Sequence, residues 1–449
     1  MGVVRELTEA MIGFPWVLFL FGGQQLANML PLRPSATSPH PAEAALDAVA
    51  HAAVSQLGDL YQVAFQTGDQ LQRTALDRVA GFLTLQVLHP GQAMQQMAEV
   101  LQPALNAGRL LLSPQASWTA YQELRNKIQV YFLVQDVESA LAIHTRQHMS
   151  LQALTEQAYD RDAHSALWAV EGLGRYYGEQ IWQHEDAPQG LLNGHAANQL
   201  PEKSLSMLHA GVGLSFAKKL LRPLSPQSSR AEIRDVLHHL VRLSHDNFQE
   251  GYIGAAYESL GLVARTFHPR LVNVLDEVLC DVAPDVSGCY WHGVGRALYF
   301  FPTYFLPGLG LPWHAVMHEA PHELARLNAL AGLTYAAVMV NLQHPAIIAA
   351  LLYDRAEQLT ADGAFANGVS ASVMARYDTT PDAPFVKSFY QYQPDPSIPG
   401  LAALWNEYVT IPCEQALTHY YPVLKAHRRL DEMVQYQPWS ALVTCLQTS

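Results

Sequence analysis

The sequence predicts an all-α protein built largely from tandem helix-turn-helix repeats of about 40 residues. Three observations carry that expectation. A Gly-x-(Gly/small)-x-(Ala/Ser) segment returns six times between residues 171 and 372. Between its copies, apolar residues recur at three and four, as they do on one face of a helix. No alternating apolar and polar run bounded by hairpin turns occurs along the 449 residues.

The copies begin at Glu171-Gly-Leu-Gly-Arg, Ala210-Gly-Val-Gly-Leu, Glu250-Gly-Tyr-Ile-Gly, His292-Gly-Val-Gly-Arg, Ala331-Gly-Leu-Thr-Tyr and Asn367-Gly-Val-Ser-Ala. Their first glycines, at 172, 211, 251, 293, 332 and 368, are separated by 39, 40, 42, 39 and 36 residues. Glycine inside a helix costs about 1 kcal/mol against alanine, so its recurrence needs a packing reason. Four residues on stand Ser215, Ala255, Ala297, Ala336 and Ser372, with Tyr176 the exception. A glycine and a small residue at that spacing share one face, where two backbones can approach. Partner helices are predicted over residues 231–243, 271–282 and 321–330. Stacked pairs of this kind form an α/α superhelix or a closed toroid, and both stay open. A nucleotide-binding turn also uses Gly-x-Gly, but it needs a preceding strand and a distal acid that no copy supplies.

The flanks divide the chain further. Residues 1–34 form an apolar N-terminal segment with no charge between Ala10 and Leu32, a candidate membrane anchor. Three prolines make 35–43 a linker. Residues 44–163 read as an N-terminal helical region, 164–380 as the repeat domain and 381–449 as a C-terminal helical cap. Charged residues make up 15% of the chain, against roughly 25% in an average soluble protein. So little charged surface favours assembly into homo-oligomers, an apolar ligand or a membrane surface. A net charge of −13 without basic clusters excludes a nucleic-acid face. The four cysteines have neither metal nor disulfide-framework spacing.

The segments Leu208-His-Ala-Gly-Val-Gly-Leu-Ser-Phe-Ala, Asp246-Asn-Phe-Gln-Glu-Gly-Tyr and Trp291-His-Gly-Val-Gly-Arg-Ala-Leu-Tyr-Phe resemble the UnbL-type domain family of unknown function found with enediyne antibiotic biosynthesis clusters. The resemblance spans roughly residues 165–380. It implies a bacterial protein of specialised metabolism that handles a polyketide-like molecule. It brings no catalytic residues with it, and the N-terminal segment has no counterpart in it.

If the repeats superpose, the residues before each glycine share one surface. Glu171, Glu250, His292 and Arg296 are then the acid/base candidates, the last two a turn apart. Arg175, His209, His245, Tyr252, Trp291, Tyr299 and Asn367 are candidates for the walls of a ligand site. The competing reading makes the same carboxylates and arginines ties between neighbouring helices. His144/His148, His314/His318 and His318/His322 have chelate spacing, but chance supplies roughly one such pair in a chain with 20 histidines. No metal is assigned and no cofactor is specified. Cys289 lies three residues before His292, without an orienting third group.

The sequence thus leads first to a helical-repeat accessory protein that binds an apolar polyketide- or lipid-like ligand or a protein partner. It would work at the cytoplasmic side of a membrane, peripheral or anchored through residues 10–32. The alternative is an isomerase, cyclase or hydrolase type of enzyme that uses the acid/base residues at the glycine motifs.

Overall fold

In a computed structural model of the protein, the described residues are 114–448 apart from 136, 142, 144–148, 185–187, 195–197, 301–309 and 382. The apolar segment, the linker, the helical stretch up to residue 113 and the pair His144/His148 lie outside them. The chain divides into two compact units, residues 1–121 and 122–449, and only the second is described at length. Among the described residues every regular element is helical, as the sequence predicts. No helix among them is long and apolar enough to cross a membrane.

Helix α1 (Pro114–Gln135) is followed by α2 (Leu151–Arg161), α3 (Ala163–His184), α4 (Leu205–Leu221) and α5 (Arg230–Asn247). Next come α6 (Gly254–Phe267), α7 (Val272–Val282), α8 (Ser287–Phe300), α9 (Gly310–Glu319), α10 (Glu323–Asn341), α11 (Pro345–Asp354) and α12 (Ala364–Thr379). The even-numbered helices from α4 to α12, with α3, pack in chain order, each against the next. The end of α12 then returns to the start of the series, where Arg376 donates to the His164 carbonyl and Ser206 to Asp378. These six helices are buried nearly all round, as their uniformly apolar and small composition requires. By contrast α5 and α7 are amphipathic and pack on one another outside them. A capping box at Ser229 and Glu232 starts α5. Exposed pairs Arg230–Glu277 and Arg234–Asp281 join its outer face to α7.

The glycines set how closely the inner helices cross. A methyl group on Gly293 would stand 1.8 Å from the Glu258 carbonyl oxygen, one on Gly332 2.0 Å from that of His292, and one on Gly211 2.0 Å from that of Glu171. For Gly211 and Gly332 that carbonyl belongs to the residue just before the motif glycine of the preceding helix, and for Gly293 to the residue just before Ser259. The second glycine faces the following helix, so that a methyl on Gly295 would lie 1.9 Å from the Ala329 oxygen. Such backbone contact brings Cα–H groups against carbonyls and leaves no room for a side chain.

Two sequence expectations change here. Gly251 is not inside a helix: it sits in the turn before α6 with φ +86°, where a methyl would press on the Arg428 carbonyl. The crossing position in α6 belongs instead to Glu258-Ser259-Leu-Gly261. Ser259 stands where the other helices have glycine and donates its hydroxyl to the Ala210 carbonyl at 2.9 Å. Gly261 meets the Tyr290 carbonyl. Second, the predicted partner helix at 321–330 is the first half of α10 itself. His322, not Pro321, caps that helix by accepting from the Ala325 amide, and α9 is the element between α8 and α10.

Because a methyl at either glycine collides with rigid backbone, Gly293→Ala and Gly332→Ala should each destabilise by about 3 kcal/mol or more. Ser259→Ala, which removes one buried hydrogen bond and no space, should cost about 1 kcal/mol. Urea unfolding of the three variants checks the order; equal losses would show that the crossings are not as close as described.

Candidate functional site

Where the inner helices cross, side chains from four of them meet at one buried point. Glu171 comes from α3, Glu258 from α6, His292 and Arg296 from α8, and Tyr335 from α10. All are buried, and His292 is 0% exposed. Arg296 Nη1 donates to Glu258 Oε2 at 2.6 Å and Nη2 to Glu171 Oε1 at 3.3 Å. His292 Nδ1 lies 2.8 Å from Glu258 Oε1. The imidazole meets the Tyr335 ring edge-on at 5.1 Å, and the Arg296 guanidinium lies 5.7 Å from the same ring.

Burial would raise the Glu258 pKa, but the charge of Arg296 and the contact with His292 outweigh it and hold the carboxyl below its ordinary range. For Glu171 burial wins over the weaker contact with Arg296, and its pKa is raised. Burial lowers His292 below the usual imidazole range despite Glu258. Arg296 is kept charged by the two carboxylates against the pull of burial. An ionised Glu258 beside a neutral imidazole must accept from Nδ1–H, which assigns the tautomer. Nε2 then carries a lone pair, and it has no hydrogen-bond partner in the structure.

Three of the four acid/base candidates therefore come together: Glu171, His292 and Arg296. The fourth, Glu250, is exposed in the turn before α6. Its expected place is taken by Glu258, eight residues on, which the sequence reading missed. Arg175, one turn after Glu171, does not pair with it. Arg175 instead binds Glu179 at 2.7 Å and the carbonyls of Val134 and Gln135. The wall candidates disperse. His209 donates from Nδ1 to the Leu205 carbonyl, accepts the Gln249 amide at Nε2 and stacks on Tyr252 at 4.8 Å, clasping the turn into α6. His245 is exposed. Trp291 points away and donates to Asp276 at 2.8 Å, an acid that also accepts from Ser287 and His322. Asn367 donates to the Gln437 carbonyl in the C-terminal segment.

Tyr299 belongs to a second buried network, unforeseen from sequence. Its hydroxyl donates to Glu123 at 3.1 Å and accepts from Asn341 at 2.7 Å, while Asn126 donates to Asn341. Lys127 pairs with Glu123 at 3.1 Å and lies 3.9 Å over the Tyr299 ring. This network ties α1 to α8 and α10. Cys289 is buried, which pushes its thiol well up, and so it offers no thiolate to an imidazole. Among the described residues no group of three His, Cys, Asp or Glu could hold a metal ion. A surface groove lined by Tyr390, Tyr392 and Trp405 shares no residue with the central cluster. The chain matches no known family, no characterised protein and no solved structure.

Two expectations follow from the geometry. Arg296→Met strands two buried carboxylates and should cost about 3–5 kcal/mol, and adding Glu171→Gln and Glu258→Gln should restore much of that loss in chemical unfolding. Burial pulls the His209 pKa down to about 4 in the folded protein. The unfolded chain then takes the proton more readily, so the stability lent by neutral His209 is complete above pH 6.5 and disappears as pH falls toward 4. The swing is about 3 kcal/mol, and His209→Gln should flatten that part of the stability profile.

Proposed function

We propose that the central cluster is a proton-transfer site and that the protein is an acid/base enzyme of isomerase or cyclase type. Its substrate would be an apolar, polyketide-like molecule of bacterial specialised metabolism. The observation that carries this reading is the uncommitted Nε2 of His292, on a ring whose Nδ1 is held by ionised Glu258. A buried acceptor without a partner costs about 1–3 kcal/mol. In the proposed step, Nε2 takes a proton from a carbon acid or hydroxyl of the substrate. The resulting imidazolium is stabilised by Glu258, and after exchange with solvent it returns a proton to the substrate, so no co-reactant is needed. Glu258 acts as a positioning residue, and Arg296 and Glu171 fix its charge.

A second reading, that of an accessory protein which binds an apolar ligand and does no chemistry, is supported by the low share of charged residues in the chain. The resemblance to the enediyne-associated family fits both readings, and membrane association through residues 10–32 belongs with the second. Deuterium exchange into a panel of polyketide-like β-keto thioesters separates them. The wild-type protein and Glu250→Gln should exchange the acidic C–H, and His292→Gln should not. Undiminished exchange by His292→Gln would overturn the enzymatic reading, whereas a ligand retained in native mass spectrometry without exchange would leave the accessory one.

A further inference from the structure

Helix α9 carries a feature that the central cluster does not use. Its inner face is fixed by buried Trp313 and Val316, which pack it beside α8 and α10. On its outer side His314 and His318 are one turn apart, with their rings tilted at 53° and centroids 4.1 Å apart. Their Nε2 atoms lie 2.9 Å from each other on the exposed side.

That separation can be compared with what a metal would need. Imidazole nitrogens bind Zn²⁺ at about 2.0–2.1 Å. Two such bonds at a right angle place the nitrogens about 2.9 Å apart, and at a tetrahedral angle about 3.3 Å apart. The pair therefore already has the bite of two adjacent octahedral or square-planar positions, and small rotations about the side-chain bonds reach the tetrahedral one. An N–H···N hydrogen bond explains the same distance in the metal-free protein. In that bond one Nε2 is the acceptor, and a metal ion would take its lone pair in place of the N–H and displace the proton of the other. Other local groups fit less well: Glu319, next on the helix, forks onto Arg265 at 3.0 Å through both oxygens, and His322 is held by Asp276.

We propose that His314 and His318 form a two-histidine chelate for a borderline divalent cation, Zn²⁺, Ni²⁺ or Cu²⁺, with water in the remaining positions. Imidazole selects these ions over Mg²⁺ and Ca²⁺, which prefer oxygen ligands. Since the chelate spans one turn near the C-terminal end of α9, bound metal would also hold that turn helical.

Titration of the full-length protein with Ni²⁺ and Cu²⁺ by calorimetry, together with Cu²⁺ electron paramagnetic resonance, tests this. Binding in the micromolar range with hyperfine splitting from two imidazole nitrogens is expected, and none with Mg²⁺. His314→Ala and His318→Ala should each weaken it about tenfold or more, and His322→Ala should leave it unchanged. Circular dichroism shows whether each variant is folded. Absence of binding to the folded wild type, or affinity that survives in the His314→Ala/His318→Ala double variant, would overturn the assignment.

Discussion

Everything else in the folded unit depends on the contact of backbone with backbone at the helix crossings. A carbonyl of one helix lies against the Cα of a glycine on the next, with space for a hydrogen and nothing larger. That contact is too short-ranged to tolerate adjustment, so it fixes both the spacing of the inner helices and their register. The register has a consequence for side chains. The residue whose carbonyl is covered by the following helix is the one just before the motif glycine, or in α6 just before Ser259, and in α3, α6 and α8 that residue is Glu171, Glu258 and His292. Its side chain leaves the helix toward the interior, so polar groups from different helices arrive at the same place.

Helices this close leave little volume between them, and charges brought into it cannot be solvated. Pairing is therefore imposed, not optional. One guanidinium serves two carboxylates, and the geometry decides how unequally: the 2.6 Å bond to Glu258 outweighs burial, while the 3.3 Å bond to Glu171 does not. The two acids consequently end on opposite sides of the ordinary carboxyl range although both are buried. Environment has made one of them a fixed anion, able to orient an imidazole, and the other a group that resists ionisation.

How much of this could be read from the chain follows from the range of each interaction. The helical class and the glycine spacing are local patterns and were legible, as were Glu171 and His292, each just before a glycine of a helix crossing, with Arg296 one turn beyond His292. Glu258 was hidden for two reasons. Gly251 offered a decoy at nearly the right spacing, because a turn needing positive φ uses the same residue as a close crossing. Ser259 then masked the real position, since a hydroxyl that bonds the opposing carbonyl replaces the glycine it was expected to match. Arg175 misled for a related reason: spacing of four makes a pair with Glu171 feasible, but spacing of four also offers Glu179 on the other side, nearer the helix surface. The wall residues Trp291 and Tyr299 failed because one helix has more than one buried face. Asp276 and the Glu123 network claim the faces turned away from the cluster, and no local pattern announces a partner 176 residues distant.

The contrast between the two buried networks bears on what the central one is for. Around Tyr299 and Lys127, amides, a hydroxyl, an ammonium and a carboxylate meet, and none of their buried side-chain atoms stands without a partner. The central cluster is assembled under the same packing constraint and from stronger charges, yet it ends in an imidazole nitrogen bonded to nothing. An amide at 292 would bury a carbonyl acceptor in its turn, and an apolar residue would take from Glu258 one of its two partners. Glutamine could still donate to Glu258, and leucine would leave the Arg296 pair intact. Histidine adds one property neither has: an acceptor whose basicity is supported from behind by a carboxylate that stays ionised. That lone pair is what the proposed proton transfer would use.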